Sequence, residues 1–238
     1  MKFSFFKNWK HYVFEFFMLF VAISLGFFVE NKREYYGERE QEEAYMMSLV
    51  EDLKSDTALL NSNIRLRNSR IAMIDSLVLL LRDQKSNEHG QDIYYYARIV
   101  SIPSNAFLND RTIQQLKSSG SLRLIQRPAI SSSIMRYYQT IQTQYNDLEE
   151  ERGIRLEYRI LVRKVLDGYV LVDMTQNDSI KKPIGTPALV TSDRAIINEF
   201  IVQLNYIKKS HQLMNGWSKG IREQGVQLIA DIEAAYKL

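Results

Sequence analysis

The sequence of 238 residues contains no cysteine, only four prolines and only ten glycines. Because there is no cysteine, the chain can form no disulfide, no thiolate-ligated zinc site and no thiol nucleophile. The scarcity of proline and glycine leaves long stretches without a helix breaker and favours long helices. A surplus of charge is also missing: the formal net charge is +3, and the interspersed acids and bases do not indicate a nucleic-acid-binding surface.

Residue patterns that carry chemistry are scarce as well. The three histidines, His11, His89 and His211, fall in separate segments and show no metal-ligand spacing. Residues 216–220 fit the nucleophile pattern G-x-S-x-G, but they lie within a helical pattern and no histidine follows them. We therefore expect two helix glycines that allow close packing or a kink. The sequence predicts no enzymatic activity, no catalytic residue, no metal ligand and no cofactor.

One long apolar run is present, from Tyr12 to Val29. A helix needs about 20 apolar residues to cross the ~30 Å hydrocarbon core of a membrane, and this run reaches that length with its edges. We predict a transmembrane helix over residues 12–30. A cleaved signal peptide is the competing interpretation, but Ala22-Ile23-Ser24 is a poor cleavage site and apolar residues continue past it.

Basic residues lie on both sides of this run and orient it only weakly. A long domain can be translocated regardless of its charge, so we predict a cytoplasmic tail at residues 1–11 and an extracytoplasmic domain at residues 31–238. The basic residues that flank the run are Lys2, Lys7 and Lys10 before it, and Lys32, Arg33 and Arg39 after it.

Three residues within the run are candidates for helix packing in the membrane. Glu15 is an ionisable group inside an apolar span, and such a group is either functional or an edge residue that snorkels or finds a basic partner. Ala22 and Gly26 form a small-xxx-small pair, which lets two helices approach closely. The predicted membrane packing site is therefore Glu15, Ala22 and Gly26.

Residues 31–238 show the pattern of an all-α domain. From Asn31 to Asp83, apolar residues recur in steps of three and four, with interruptions at Thr57 and Arg67. This seam fits either a parallel dimeric coiled coil or one helix of an intramolecular bundle, and we favour the bundle because later helices also need a partner. The predicted fold class is all-α: an N-terminal transmembrane helix followed by a long-helix bundle.

Four later helices are predicted, over residues 92–102, 107–119, 128–166 and from Ser192 or Asp193 to about Tyr236. Gly120 suits a left-handed position after a helix, and Pro128 suits the first turn of the next one. Residues 169–172 could form a short strand. The last helix is expected to bury an apolar face that includes Leu213.

Two segments are candidates for contact with other molecules. Tyr94, Tyr95 and Tyr96 cannot all be buried on one helical face, so at least one should be exposed or line a groove. Residues 116–125 (LKSSGSLRLI) either present a recognition loop or end a helix with leucines that plug the bundle, and we favour the plug. The predicted interaction surface comprises Tyr94, Tyr95, Tyr96, Arg123 and Gln126.

The order of these motifs resembles a known family. Glu15, Ala22, Gly26 and Asn31 are followed by SLVEDLKSD at residues 48–56, by LKSSGSLRLI and by the pair Tyr137-Tyr138. Together they resemble an uncharacterised family of single-pass membrane proteins from Bacteroidota, known only as a domain of unknown function. The resemblance covers most of the chain. It implies a location at the inner membrane of a double-membrane bacterium, with the helical domain in the periplasm, and it implies no activity.

The expected function is that of a membrane-anchored, non-enzymatic scaffold or interaction protein of the bacterial cell envelope. Its expected partners are the inner membrane and either other envelope proteins or a second copy of the chain, but no nucleic acid. The alternative is a small-molecule sensor domain of a membrane complex, with the ligand held between helices. A scaffold predicts a filled bundle with an exposed apolar patch, whereas a sensor predicts convergent polar groups between helices.

Overall fold

The computed structural model describes residues 9–83, 86–104 and 107–238. Most of the predicted tail, residues 1–8, lies outside the described residues. The helices are α1 (Trp9–Arg82), α2 (Gly90–Val100), α3 (Arg111–Ser118), α4 (Pro128–Val165), α5 (Gly168–Asp173) and α6 (Arg194–Tyr236). Single 3₁₀ turns occupy Ser86–His89 and Ser121–Leu124, and a two-stranded antiparallel hairpin pairs β1 (Thr175–Gln176) with β2 (Ser179–Ile180).

Helix α1 is continuous over 74 residues and joins the apolar run to the bundle. Among the described residues, it is the one helix long and apolar enough to cross a membrane. No residue in its most apolar 18-residue window is buried against the rest of the protein. The apolar part of α1 therefore stands free of the domain, and the packed part begins near Glu42.

The packed part of α1 forms a bundle with α4 and α6 of the same chain. Helix α6 is antiparallel to α1, because its last turn lies near Glu42 and its first turns lie near Leu77. The predicted seam faces these helices: Leu53, Leu60, Arg67 and Ile74 are all buried. The predicted helical bundle is confirmed, and the seam is used inside one chain.

The core is divided into two apolar clusters along the bundle. The proximal cluster, nearer the apolar run, joins residues 46–60 of α1 to α3, to the start of α4 and to the end of α6. The distal cluster joins residues 74–81 of α1 to α2, to the end of α4 and to the start of α6. Between them, the buried residues of the three long helices are mostly polar.

Several helix boundaries follow the predicted local signals. Gly120 has a φ of +69° in the turn after α3, and Pro128 is the first residue of α4. The Asp193 side chain accepts a hydrogen bond from the Ala195 N–H at the start of α6. Gly90 is required at the start of α2, because a Cβ there would collide with the backbone of Pro187.

Two local predictions are wrong, and a third loses one of its two alternatives. Residues 169–172 belong to α5 and not to a strand, because Asp167 caps a helical turn by accepting from Tyr169 N–H. Leu213 is 54% exposed, because the inward positions of this part of α6 are taken by His211 and Met214. Of the two roles predicted for Gly216 and Gly220, close packing is wrong, since a Cβ at either position would meet nothing within 4 Å, and a kink stays a prediction.

Candidate functional site

The three residues predicted for membrane packing lie on the free part of α1. Glu15, Ala22 and Gly26 are all exposed, and a Cβ on Gly26 would meet nothing within 4 Å. The domain therefore leaves this face of the helix accessible. The packing role of these three residues stays a prediction.

The three tyrosines of α2 have different environments, and Tyr94 does not belong to an interaction surface. Its side chain is fully buried, and its hydroxyl donates to Ala188 O at 2.9 Å and accepts from Asp167 N–H at 2.8 Å. Burial raises the pKa of Tyr94. Tyr95 and Tyr96 are half-buried, and the Lys182 ammonium lies 5.9 Å from the centre of the Tyr95 ring.

Arg123 and Gln126 lie at the other end of the bundle. Both side chains are exposed, while the backbone N–H of Gln126 donates to Glu42 Oε1 at 2.8 Å. Tyr94 belongs to the distal cluster, which contacts α1 around Leu77. Glu42 and Leu77 are separated by about 50 Å at 1.5 Å of rise per residue. The structure therefore does not bring the predicted surface residues together.

The polar layer between the two clusters contains several charged side chains, of which the sequence pattern marks Arg67 as an interruption of the seam. We call it the arginine layer: Arg67 and Arg70 on α1, Glu151 and Arg155 on α4, and His211 on α6. All five side chains are buried, and Arg155 Nη2 donates to Glu151 Oε1 at 2.5 Å.

The arginines of this layer donate hydrogen bonds to the backbone just after α2. Arg70 Nη1 and Arg155 Nη1 both donate to Ile102 O, at 2.6 and 3.0 Å, and Arg67 Nη2 donates to Ser104 O at 2.8 Å. Because carbonyl groups at a helix C-terminus carry partial negative charge, cations are favoured there. The arginines therefore hold the exit of α2 against α1 and α4.

The imidazole of His211 is fully buried in the arginine layer, and neither ring nitrogen has a hydrogen-bond partner. Burial, and after it the positive charges of Arg70, Arg155 and Arg67, together lower its pKa to about 3. His211 is therefore neutral at physiological pH and lies close to three positively charged side chains.

Ser218, the central residue of the G-x-S-x-G pattern, belongs to the edge of this layer. Its side chain is buried in the middle of α6 and accepts a hydrogen bond from Arg67 Nη1 at 2.9 Å. A nucleophile elbow requires a strand-to-helix turn, whereas this serine lies inside a 43-residue helix. The pattern contributes a hydrogen-bond acceptor to the arginine layer.

A second polar cluster holds the start of α3 to α1 through two aspartates. Asp52 accepts from Thr112 Oγ1 at 2.6 Å, from Thr112 N–H at 3.3 Å and from Arg111 Nη2 at 2.8 Å. Asp56 Oδ1 accepts from both the N–H and the side-chain amide of Asn109, each at 2.8 Å. Side chains of another helix thus cap α3.

The two aspartates have opposite pKa shifts. Burial pushes the pKa of Asp52 up, but the hydrogen bonds from Thr112 and Arg111 outweigh it and hold the pKa below its usual range. Burial raises the pKa of Asp56, and the nearby charge of Asp52 adds to that rise, against the opposing hydrogen bonds from Asn109. Asp56 Oδ2 has no hydrogen-bond partner.

Two open cavities face solvent at opposite ends of the bundle. One, of about 610 Å³, lies between α3 and α4 and is lined by apolar side chains such as Phe107 and Met135 and by amides such as Gln114 and Gln139. The other, of about 540 Å³, lies at the distal end, where Tyr169, Val172 and Val190 line it.

Bulky apolar side chains are exposed around the distal cavity. Tyr169 is 86% exposed, Val172 is 70% exposed and Val190 is 59% exposed. We call these three residues, which all line the cavity, the distal apolar surface. The hydroxyl of Tyr94 is hydrogen-bonded to the backbone of Asp167 and of Ala188, which lie shortly before Tyr169 and Val190 in the sequence. These bonds fix the backbone that carries the exposed apolar side chains.

Comparisons with known proteins find no family model, no curated protein and no solved structure that matches this chain. Among the described residues, no group of three or more histidines, aspartates or glutamates is arranged to hold a metal ion. The resemblance to the Bacteroidota family stays a proposal drawn from the order of the motifs.

Proposed function

We propose that this protein is a membrane-anchored, non-enzymatic scaffold or interaction protein of the bacterial cell envelope. In this proposal residues 12–30 cross the inner membrane once, and residues 31–238 form the periplasmic domain. The distal apolar surface is the observation that carries the proposal, because large apolar side chains displayed together commonly mark sites of protein contact. The partner is therefore a protein with a complementary apolar patch.

The position of this surface supports the proposal. Helix α1 is continuous from the apolar run to Arg82, so the far end of the bundle lies about 80 Å from the proposed membrane surface near Asn31. An apolar surface at that end of the bundle can contact a partner protein well away from the bilayer. Tyr95, Tyr96 and Lys182 lie near the same end and would form part of the polar rim.

The test is co-purification of partners from native membranes in mild detergent. The wild-type full chain is compared with Val172→Asp, which places a charge on the distal apolar surface, and with Val226→Asp, a matched control at a 54% exposed position on α6. We expect one or more proteins to be recovered with the wild type and Val226→Asp and lost with Val172→Asp. Recovery of a lone monomer from wild-type cells would contradict the proposal.

The orientation is tested separately by a reporter that is active only outside the cytoplasm, fused after Leu238. An active reporter is expected. An inactive reporter on a stably produced fusion would place the domain in the cytoplasm and reverse the proposed topology, while leaving the interaction surface to be tested by co-purification.

A second candidate function, a small-molecule sensor, is favoured by the arginine layer. Its polar groups come from α1, α4 and α6 and converge between the three helices, as the sensor hypothesis expects. The layer lies about 16 Å from the distal end of α4, measured from Arg155 to Leu166. It shares no residue with the distal apolar surface, so the two candidate functions depend on different residues.

A further inference from the structure

The arginine layer contains more positive than negative charge among the residues that the structure describes. Arg67, Arg70 and Arg155 bring three guanidinium groups, whereas Glu151 brings one carboxylate, which bonds Arg155. Among the described residues, the hydrogen-bond partners of Arg67 and Arg70 are neutral: the carbonyls of Ser104, Ile102 and Met214 and the hydroxyl of Ser218. A buried charge without an opposite charge is strongly unfavourable.

Several polar atoms in or beside this layer are buried and lack a hydrogen-bond partner. They include the Nε atoms of Arg67 and Arg70, which are donors, and both ring nitrogens of His211. Unpartnered buried polar groups are rare in proteins, and several in one place call for a bound species that the protein chain does not supply. The neighbouring unpartnered atoms are Ser104 Oγ and Asn215 Oδ1.

We propose that the arginine layer binds a small oxyanion, the carboxylate or phosphate group of a small molecule, between α1, α4 and α6. Guanidinium groups are strong donors to such groups, and Arg67 and Arg70 each keep a buried Nε–H without a partner. A neutral His211 adds one N–H donor to the same anion. The bound charge offsets the excess of positive charge in the layer.

A cavity borders the layer on the side where α4 faces α6. A cavity of about 200 Å³, open to solvent, is lined there by Glu151, Met214 and Trp217. Glu151 belongs to the arginine layer, and the carbonyl of Met214 accepts from Arg67 Nη1. The cavity is also lined by Lys209, a cation. Because Trp217 lines the same cavity, it provides a fluorescent probe beside the layer.

The test measures thermal unfolding of the full chain in detergent with inorganic phosphate or with acetate, each against sodium chloride at equal ionic strength. We expect a saturable rise in Tm with one of the two probes, of about 5–10 °C at 100 times its Kd. A rise with phosphate assigns a phosphate group, and a rise with acetate assigns a carboxylate. The absence of a saturable rise with either probe would overturn the proposal.

Two variants separate binding in the layer from binding elsewhere. Arg70→Lys keeps the positive charge but loses the planar fork, so we expect the affinity to fall about tenfold or more. Arg65→Lys is the matched control at an exposed position on the same helix, and it should bind as the wild type does. Equal affinity in all three proteins would place the anion outside the layer and overturn the proposal.

Fluorescence gives a second readout that does not depend on unfolding. In a Trp9→Phe background, Trp217 is the single tryptophan, and its emission should change with the same Kd as the Tm. An unchanged emission throughout the Tm titration would contradict binding next to Trp217. This inference deepens the sensor candidate, and its failure leaves the scaffold proposal intact, because co-purification through the distal apolar surface needs no anion.

Discussion

The chain that leaves α2 and the chain that enters α3 are both held by side chains of α1, but by opposite charges. At the exit of α2, Arg67 and Arg70 donate to backbone carbonyls of Ser104 and Ile102. At the entry to α3, Asp52 accepts from a backbone N–H. The free carbonyls at a helix C-terminus attract cations, and the free N–H groups at an N-terminus attract anions.

The two ends differ in how well their charges are balanced. The aspartate end has two carboxylates, Asp52 and Asp56, which accept hydrogen bonds from Thr112, Arg111 and Asn109, and one of these partners is a cation. The arginine end has three guanidinium groups and one described carboxylate, Glu151. Among the described residues, the excess of charge is therefore larger at the arginine end, and this is the end that we propose as a binding site.

Removing Glu151 should have the largest effect on this balance. The variant Glu151→Ala leaves the guanidinium groups of the arginine layer without a carboxylate among the described residues, so we expect a loss of about 3–5 kcal/mol in the free energy of unfolding. Denaturant unfolding of the full chain measures it. Glu157→Ala, at an exposed position on the same helix, should change the stability by less than about 0.5 kcal/mol. Equal effects of the two variants would show that the layer does not need its carboxylate.

Removing Asp52 should have an intermediate effect. Asp52→Ala leaves the Thr112 N–H and hydroxyl without their acceptor and should cost about 2 kcal/mol at pH 7. Because the pKa of Asp52 is lowered in the fold, its contribution is present at neutral pH and is lost as the pH falls through the folded pKa. The difference between variant and wild type should therefore shrink in acid, as measured by denaturant unfolding at several pH values.

The partner residue provides the control for this prediction. The Arg111 side chain is 80% exposed, so its ion pair with Asp52 is screened by solvent. Arg111→Ala should cost well under about 1 kcal/mol. A loss as large as that of Asp52→Ala would show that the ion pair, and not the hydrogen bonds of Thr112, holds α3.

The sequence predicts the long helices better than it predicts these attachments. Helix lengths and caps depend on local signals, so Gly120, Pro128 and Asp193 act as expected. The arginine layer depends on distant contacts: Arg67 bonds Ser104 and Ser218, which lie 37 and 151 residues away. Periodicity alone therefore registers Arg67 as an interruption of the seam.

A signal for the layer was nevertheless present in the sequence. In α1 the buried apolar pattern is broken at Arg67 and Arg70, and in α6 it is broken at His211, Asn215 and Ser218. Antiparallel helices that carry polar residues at inward positions should align them, because a buried polar group needs a polar partner. Which of Tyr94, Tyr95 and Tyr96 is buried, in contrast, depends on the segment around Ala188, and the sequence of α2 alone could not predict that it is Tyr94.

The smallest effect, and the sharpest comparison, concerns Asp56. The pKa of Asp56 is raised in the fold, so its charged form is disfavoured, and the stability it contributes when protonated is lost as the pH rises through the folded pKa. Asp56→Asn keeps an oxygen that accepts both hydrogen bonds from Asn109 and removes the buried charge. We therefore expect the variant to equal the wild type or to exceed it by up to about 1 kcal/mol at pH 7. This advantage should disappear at a pH below the ordinary range of an aspartate, because both proteins are then neutral at this position.

The matching change Asp52→Asn should destabilise the protein at pH 7, since the charge of Asp52 is favoured by its partners. Unfolding of both variants at pH 7 and in acid makes the comparison, and a loss of more than about 1 kcal/mol for Asp56→Asn at pH 7 would mean that the two aspartates hold α3 as a pair of charges.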